Sequence, residues 1–210
     1  MAEFGNEIKK ALIELRKEGE RKFNQTVDLI VNLQKFDPKR DALNIFIQVP
    51  HKIRDKKICA FLTTKHAELD TITEADFRRY SDKKELKKLE GKYDFFISQA
   101  TLMPKVATVF GRVLGPSGKM PSPQLGIVQS AEDKSIDELR EKINHSIRIR
   151  AKEASIKLGI GKQKMKDEEL IENIESVYHA LLKALPKGSE NIKNVGLKFT
   201  MTKPQRVSLK

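Results

Sequence analysis

The sequence predicts an α+β domain built from both chain ends, an antiparallel sheet with helices, and an α/β unit inserted between those ends. Three observations predict it. Segments alternating apolar and polar residues with a period of two lie near both termini, as half-buried antiparallel strands do. Short, continuously apolar segments alternate with helical patterns in the middle, as in α/β units. The two ends therefore resemble each other more than either resembles the middle. The boundaries fall near Lys56 and Ser146, giving 1–55 and 146–210 as a terminal domain and 56–145 as an insert. The chain then crosses twice between the two, which is the connectivity of a hinge.

Taken in order, residues 4–18 read as an amphipathic helix with Ile8, Ala11, Leu12 and Leu15 on one face and Gly19 as its stop. From Thr26 to Leu33, Val27, Leu29, Val31 and Leu33 face one way. Asn44–Val49, closed by Pro50, is a second strand after the turn Asp37-Pro38-Lys39-Arg40-Asp41, and the two strands are expected to pair antiparallel. Ile58–Leu62 and Tyr93–Ile97 read as strands buried on both faces. Helices are expected around Glu74–Tyr80, Lys83–Leu89, residues 101–113 and Ser135–His145, with a Gly/Pro-rich loop from Gly115 to Pro123. After Ser146, Ile147–Arg150 and Ala154–Ile160 are strands. Asp167 heads a helix carrying Leu170, Ile171, Ile174, Val177, Tyr178, Leu181 and Leu182, with Asp167, Glu168 and Glu169 suiting its N-terminal dipole. Asn191–Phe199 is the last strand.

The length, 210 residues, allows one domain or two small ones. Charged residues make up 33% of the chain and the formal net charge is +12, of which residues 146–210 contribute more than half. Polyanions are the natural partners of such a surface, because neutralising phosphates releases counterions. A lysine-rich surface suited to a hot or salt-rich cytoplasm is the other reading. The single cysteine, Cys59, excludes an internal disulfide and a multi-cysteine zinc site, and its apolar run marks it as a buried, inert thiol. With neither a signal pattern nor a membrane-spanning apolar run, a cytoplasmic protein without membrane contact is expected.

Motifs for chemistry are few. Gly111 to Lys119 imitates a phosphate loop, but Val113 stands where a glycine is needed and Met120 where a magnesium-binding hydroxyl belongs. Gly159-Ile160-Gly161 lacks its third glycine. The histidines at 51, 66, 145 and 179 are scattered, and no nucleophile elbow occurs. No catalysis, cofactor or metal is expected, and a small nucleotide-binding enzyme is the rival reading. One basic–aromatic cluster remains, Arg21-Lys22-Phe23. Phe23 reads either as a ring on which a base stacks or as a core residue.

Several stretches, in order over nearly the whole chain, carry a resemblance. They are Arg21-Lys22-Phe23-Asn24-Gln25-Thr26-Val27-Asp28-Leu29, Phe36-Asp37-Pro38-Lys39-Arg40, Val49-Pro50-His51, Leu114-Gly115-Pro116, Lys119-Met120-Pro121, Ile147-Arg148-Ile149-Arg150, Glu169-Leu170-Ile171-Glu172-Asn173-Ile174, Thr200-Met201 and Lys203-Pro204-Gln205-Arg206. With them the chain resembles the universal large-subunit ribosomal protein L-one family, in its archaeal and eukaryotic branch. The resemblance implies that the insert is a Rossmann-like, three-layer α/β domain. It implies a structural protein, monomeric off the ribosome, that binds large-subunit ribosomal RNA as a mobile stalk beside exit-site tRNA. It also implies repression of translation through binding of its own mRNA.

Carried over, the RNA site falls on Lys22, Phe23, Thr26, Arg150, Thr200, Met201 and Thr202, with the adjacent Lys203 and Arg206 added for their charge. Thr200 and Met201 also read as a strand end with a buried methionine. The family has glycine after Thr-Met where this chain has Thr202. A positive φ there would strain threonine, so Thr202→Gly is expected to tighten RNA binding.

Overall fold

The computed structural model describes residues 2–208 except Gly19, Glu20, Lys39, Ala42, Ala67, Ser81, residues 130–132 and Lys152. The expected helix stop at Gly19 and the middle of the turn at Lys39 lie outside the described residues. The chain is a mixed α/β protein that divides into two compact units, Met1–Arg54 with His145–Lys210, and Asp55–Asn144.

In the first unit, α1 (Ala2–Lys17) buries Ile8, Leu12 and Leu15 completely, as their helical spacing dictates. The strand β1 (Thr26–Leu33) buries every second residue, Val27, Leu29, Val31 and Leu33, and turns Thr26, Asp28, Ile30 and Asn32 outward. The expected pairing of β1 with β2 (Asn44–Gln48) does not form. Both edges of β1 are taken instead, by β8 (Ser155–Lys162) and β9 (Ile192–Phe199), and β10 (Gln205–Val207) completes an antiparallel sheet of order β10-β9-β1-β8. β2 pairs with β7 (Ser146–Arg150) in a separate two-stranded ribbon. The connection between β1 and β2 is too long to impose a hairpin, so apolar faces choose the partners. Helix α5 (Asp167–Ala184) and α1 close the core, with Leu170, Ile174, Val177 and Leu181 buried against the sheet residues. The strand β10 escapes periodicity because it has three residues and follows Pro204.

Polar side chains lock these elements together. Arg16, at the end of α1, donates to Asp167 Oδ1 at 2.6 Å and to the Gln163 and Met165 carbonyls, tying α1 to the start of α5. Asn173 is wholly buried. Its amide donates to the His51 and Ile160 carbonyls and its oxygen accepts the His51 N–H at 2.9 Å. A buried amide with all these bonds satisfied fixes the exit from β2 and strand β8 onto one helix.

The second unit is a parallel sheet of order β4-β3-β5-β6, made of β3 (Ile58–Phe61), β4 (Asp70–Ile72), β5 (Phe95–Gln99) and β6 (Ile127–Val128). All of β3 is buried, as its continuous apolar run requires. Residues Glu74–Tyr80 form a 3-10 helix, followed by α2 (Lys83–Lys92), α3 (Met103–Ser117) and α4 (Asp133–Asn144). Phe61, Phe77, Phe96 and Phe110 form an interlocking aromatic core with Tyr93 at its edge. Cys59 lies in it, and burial pushes its thiol up to about 12, which leaves it inert at neutral pH.

The expected loop from Gly115 starts later. Helix α3 runs through Pro116 to Ser117, whose hydroxyl bonds the Val113 and Leu114 carbonyls. Gly118, at φ 76°, ends the helix in the left-handed region. Most of the residues that imitate a phosphate loop, Gly111 to Ser117, are therefore helical. Lys119 is a structural staple whose Nζ donates to the Glu90 and Tyr93 carbonyls at 2.7 and 2.9 Å. None of the described helices is long and apolar enough to cross a membrane.

Candidate nucleic-acid interface

Strand register brings distant residues to one end of the terminal sheet. Val27 faces Phe199 and Thr26 faces Lys162, so the residues entering β1, leaving β9 and leaving β8 converge there. Thr200 takes the place of a further strand residue. Its hydroxyl accepts the Thr26 N–H at 3.0 Å, continuing the ladder by a side chain. Met201 donates its N–H to Gln25 Oε1 at 3.0 Å. Gln25 is wholly buried, and its amide donates in turn to Gln163 Oε1, while the Gln163 N–H donates to the Gln25 carbonyl.

Beside this network two large apolar side chains stand in water. Phe23 is 51% and Met201 62% exposed, and Ile13 on α1 is the other large apolar residue so exposed among those described. Phe23 is thus no core residue, and Met201 is not the buried methionine of a strand end. Exposed apolar side chains grouped in this way are uncommon on a free surface and mark a place where a partner's apolar surface can be covered.

Cations surround them. Lys22, Lys164 and Lys203 are exposed, and the Lys162 ammonium donates to Thr26 Oγ1 at 2.9 Å. The outward face of the sheet adds Lys198 opposite Asp28, and Arg206 opposite Gly196. The Asp28 carboxyl is pushed above its ordinary range by partial burial, against the pull of Lys198 and Lys162.

Thr202 behaves otherwise than expected. Lys35 is the only non-glycine at positive φ among the described residues, so Thr202 carries no such strain. Its side chain is 7% exposed, and its hydroxyl accepts the Phe199 N–H at 2.9 Å while its own N–H donates to the Phe199 carbonyl. Threonine closes the turn from inside rather than presenting a surface, and the expected gain from Thr202→Gly loses its physical basis.

Arg150 does not join the cluster. It ends β7 opposite Asn44, and the chain then enters β8 beside Leu33, whose N–H donates to the Ala154 carbonyl. β1 has eight residues, so that end lies about 23 Å from Thr26 at the usual strand rise. Conversely, Gln25 and Asp28, which fall within a motif of the sequence but are not assigned by it to the site, and Lys162, Gln163, Lys164 and Lys198, which no motif marks, belong to the cluster. Their placement depends on the β1–β8 and β1–β9 pairings, which local periodicity does not encode.

No group of three or more metal-binding side chains occurs among the described residues. Fold and cluster together define a class: a mixed α/β protein whose distinctive chemistry is a cationic surface bearing exposed aromatic and thioether groups. Residues 15–203 match the model of the Ribosomal protein L1p/L10e family. The chain is 34% identical to the large ribosomal subunit protein uL1 of Nanoarchaeum equitans, over 96% of this chain and 98% of that one. It is 34% identical to that of Cenarchaeum symbiosum, over 95% and 93%, and 36% identical to that of Thermofilum pendens, over 96% and 91%. The chain belongs to the Ribosomal protein L1p/L10e family, in its archaeal branch, a family of ribosomal proteins and not of enzymes.

Proposed function

We propose that this protein is a structural constituent of the large ribosomal subunit whose unit of both chain ends binds ribosomal RNA, while the other unit is an inserted domain of Rossmann-like topology. The observation that carries this reading is the pair of exposed side chains, Phe23 and Met201, set among Lys22, Lys162, Lys164 and Lys203 at converging strand ends. The ring and thioether supply stacking surface, the ammonium groups neutralise phosphate, and Thr26 and Thr200 offer short polar contacts of the kind that read ribose hydroxyls. Bound there, RNA and protein form a stalk beside the tRNA exit site. The same surface recognises a matching structure in the protein's own mRNA, and off the ribosome the protein is monomeric.

The test is titration of the whole protein against an RNA fragment carrying the stalk junction, alongside an unrelated RNA of equal length. Tight, selective binding that Phe23→Ala and Met201→Ala both weaken is the expected result. Equal affinity for both RNAs would overturn specific recognition at this site.

A further inference from the structure

Helix α2, in the other unit, concentrates lysines that the acids among the described residues neutralise only in part. Lys83, Lys84, Lys87 and Lys88 are all exposed, while Leu86 and Leu89 are buried on the opposite side. The lysines stand in two pairs four residues apart, so the pairs repeat about 6 Å along the axis. The neighbouring acids are already engaged. Asp82 caps the helix by accepting the Lys84 N–H, Glu85 pairs with Lys88 at 2.7 Å, and Glu90 pairs with Lys119 at 3.4 Å. Lys83, Lys84 and Lys87 have no acidic partner among the described residues.

A second observation runs against local stability. Lys83 and Lys84 occupy the first turn of α2, where the helix dipole disfavours cations. An anion on this face would relieve both the dipole conflict and the mutual repulsion of the lysines.

We propose that the lysine face of α2 is a second RNA-binding surface, one that takes the phosphate backbone of a helical RNA without regard to its sequence. Lysines are compact point charges suited to phosphate and are depleted at protein–protein contacts. Among the described residues the face has no exposed large apolar side chain to anchor a protein partner, since Ile13, Phe23 and Met201 all lie in the other unit. The surface is independent of the strand-end cluster and does not rest on the function proposed for it.

The experiment titrates the whole protein with an RNA hairpin duplex unrelated to ribosomal sequence, at two salt concentrations. Two proteins are compared with the parent: the triple variant Lys83→Glu, Lys84→Glu, Lys87→Glu, and a charge-matched control, Lys9→Glu, Lys183→Glu, Lys187→Glu. Glutamate in the first turn suits the helix dipole, so the α2 variant keeps its fold, which a thermal melt verifies. The α2 variant is expected to lose duplex affinity tenfold or more, and its log–log salt slope to flatten by about two, as counterion release requires when two to three phosphate contacts vanish. The control should retain duplex binding. Equal losses in the α2 variant and the control would reduce the effect to net charge and overturn the proposal. So would an unchanged α2 variant. Polyglutamate that binds as tightly as the duplex, and is lost in the same variant, would reassign the face to an acidic protein.

Discussion

At the scale of single residues, exposure separates recognition from packing. Phe23 and Met201 stand in water, whereas Phe77 is 6% exposed within the aromatic core of the other unit. Phe23→Ala and Met201→Ala are each expected to weaken junction RNA binding by about 1–3 kcal/mol while leaving the melting temperature nearly unchanged. Phe77→Ala should do the reverse, losing about 3–5 kcal/mol of stability with affinity intact once folded. Binding and melting curves for the three proteins check the division, and losses that run in parallel would return Phe23 and Met201 to the core. Thr202 calls for the opposite expectation from the one its family position suggests. Thr202→Gly removes a buried hydrogen bond to the Phe199 N–H, about 0.5–1.5 kcal/mol, and frees the turn by about 0.5–1 kcal/mol more. It should lower both stability and RNA affinity, while Thr202→Ser, which keeps the hydroxyl, should restore most of each. A glycine variant that binds more tightly would show that RNA needs the space the side chain fills.

At the scale of elements, the terminal unit depends on side chains that join segments far apart in sequence. Asn173, itself wholly buried, links α5 to the segment leaving β2 and to β8. Asn173→Ala leaves the His51 N–H and two carbonyls without this partner, so a loss of about 2–4 kcal/mol in urea unfolding is expected. A change under about 1 kcal/mol would mean that water replaces the amide and the buried network adds little. In the parallel unit, Lys119 does a comparable job by tying the turn after α3 to the end of α2. That use explains why a Gly-Lys stretch resembling a phosphate loop has its lysine turned to carbonyl groups.

At the scale of the whole molecule, Gln48 faces Ser146 across the β2–β7 ribbon, and the Val49 N–H donates to the His145 carbonyl at 2.7 Å. The two points where the chain leaves and re-enters the terminal unit are therefore neighbours, and closing that gap costs little chain entropy. Joining Arg54 to His145 through a few glycines should give a chain of both ends that folds cooperatively and keeps the junction RNA affinity of the whole protein. Circular dichroism and RNA titration check it. A folded chain that no longer binds the junction would place recognition in residues 55–144.

The sequence by itself determined the longer strands and helices, though not the two- and three-residue strands β4, β6 and β10, because burial imposes a period only on segments long enough to show it: β1 is read from its alternation, α5 from its apolar stripe, and β3 from its unbroken apolar run. It also marked Lys22, Phe23, Thr200 and Met201, since a motif survives in the order of letters. Pairing was another matter. Nothing local says that β1 shuns β2 and takes β8 and β9, because several apolar faces could satisfy it and only the packed core selects among them. That selection sets Lys162 beside Thr26, buries Gln25 beneath Met201, leaves Arg150 at the far end of the strand, and turns Thr202 inward. Periodicity records whether a side chain is buried; the register across strands, which three-dimensional packing alone fixes, decides what it is buried against and which exposed groups can meet one ligand.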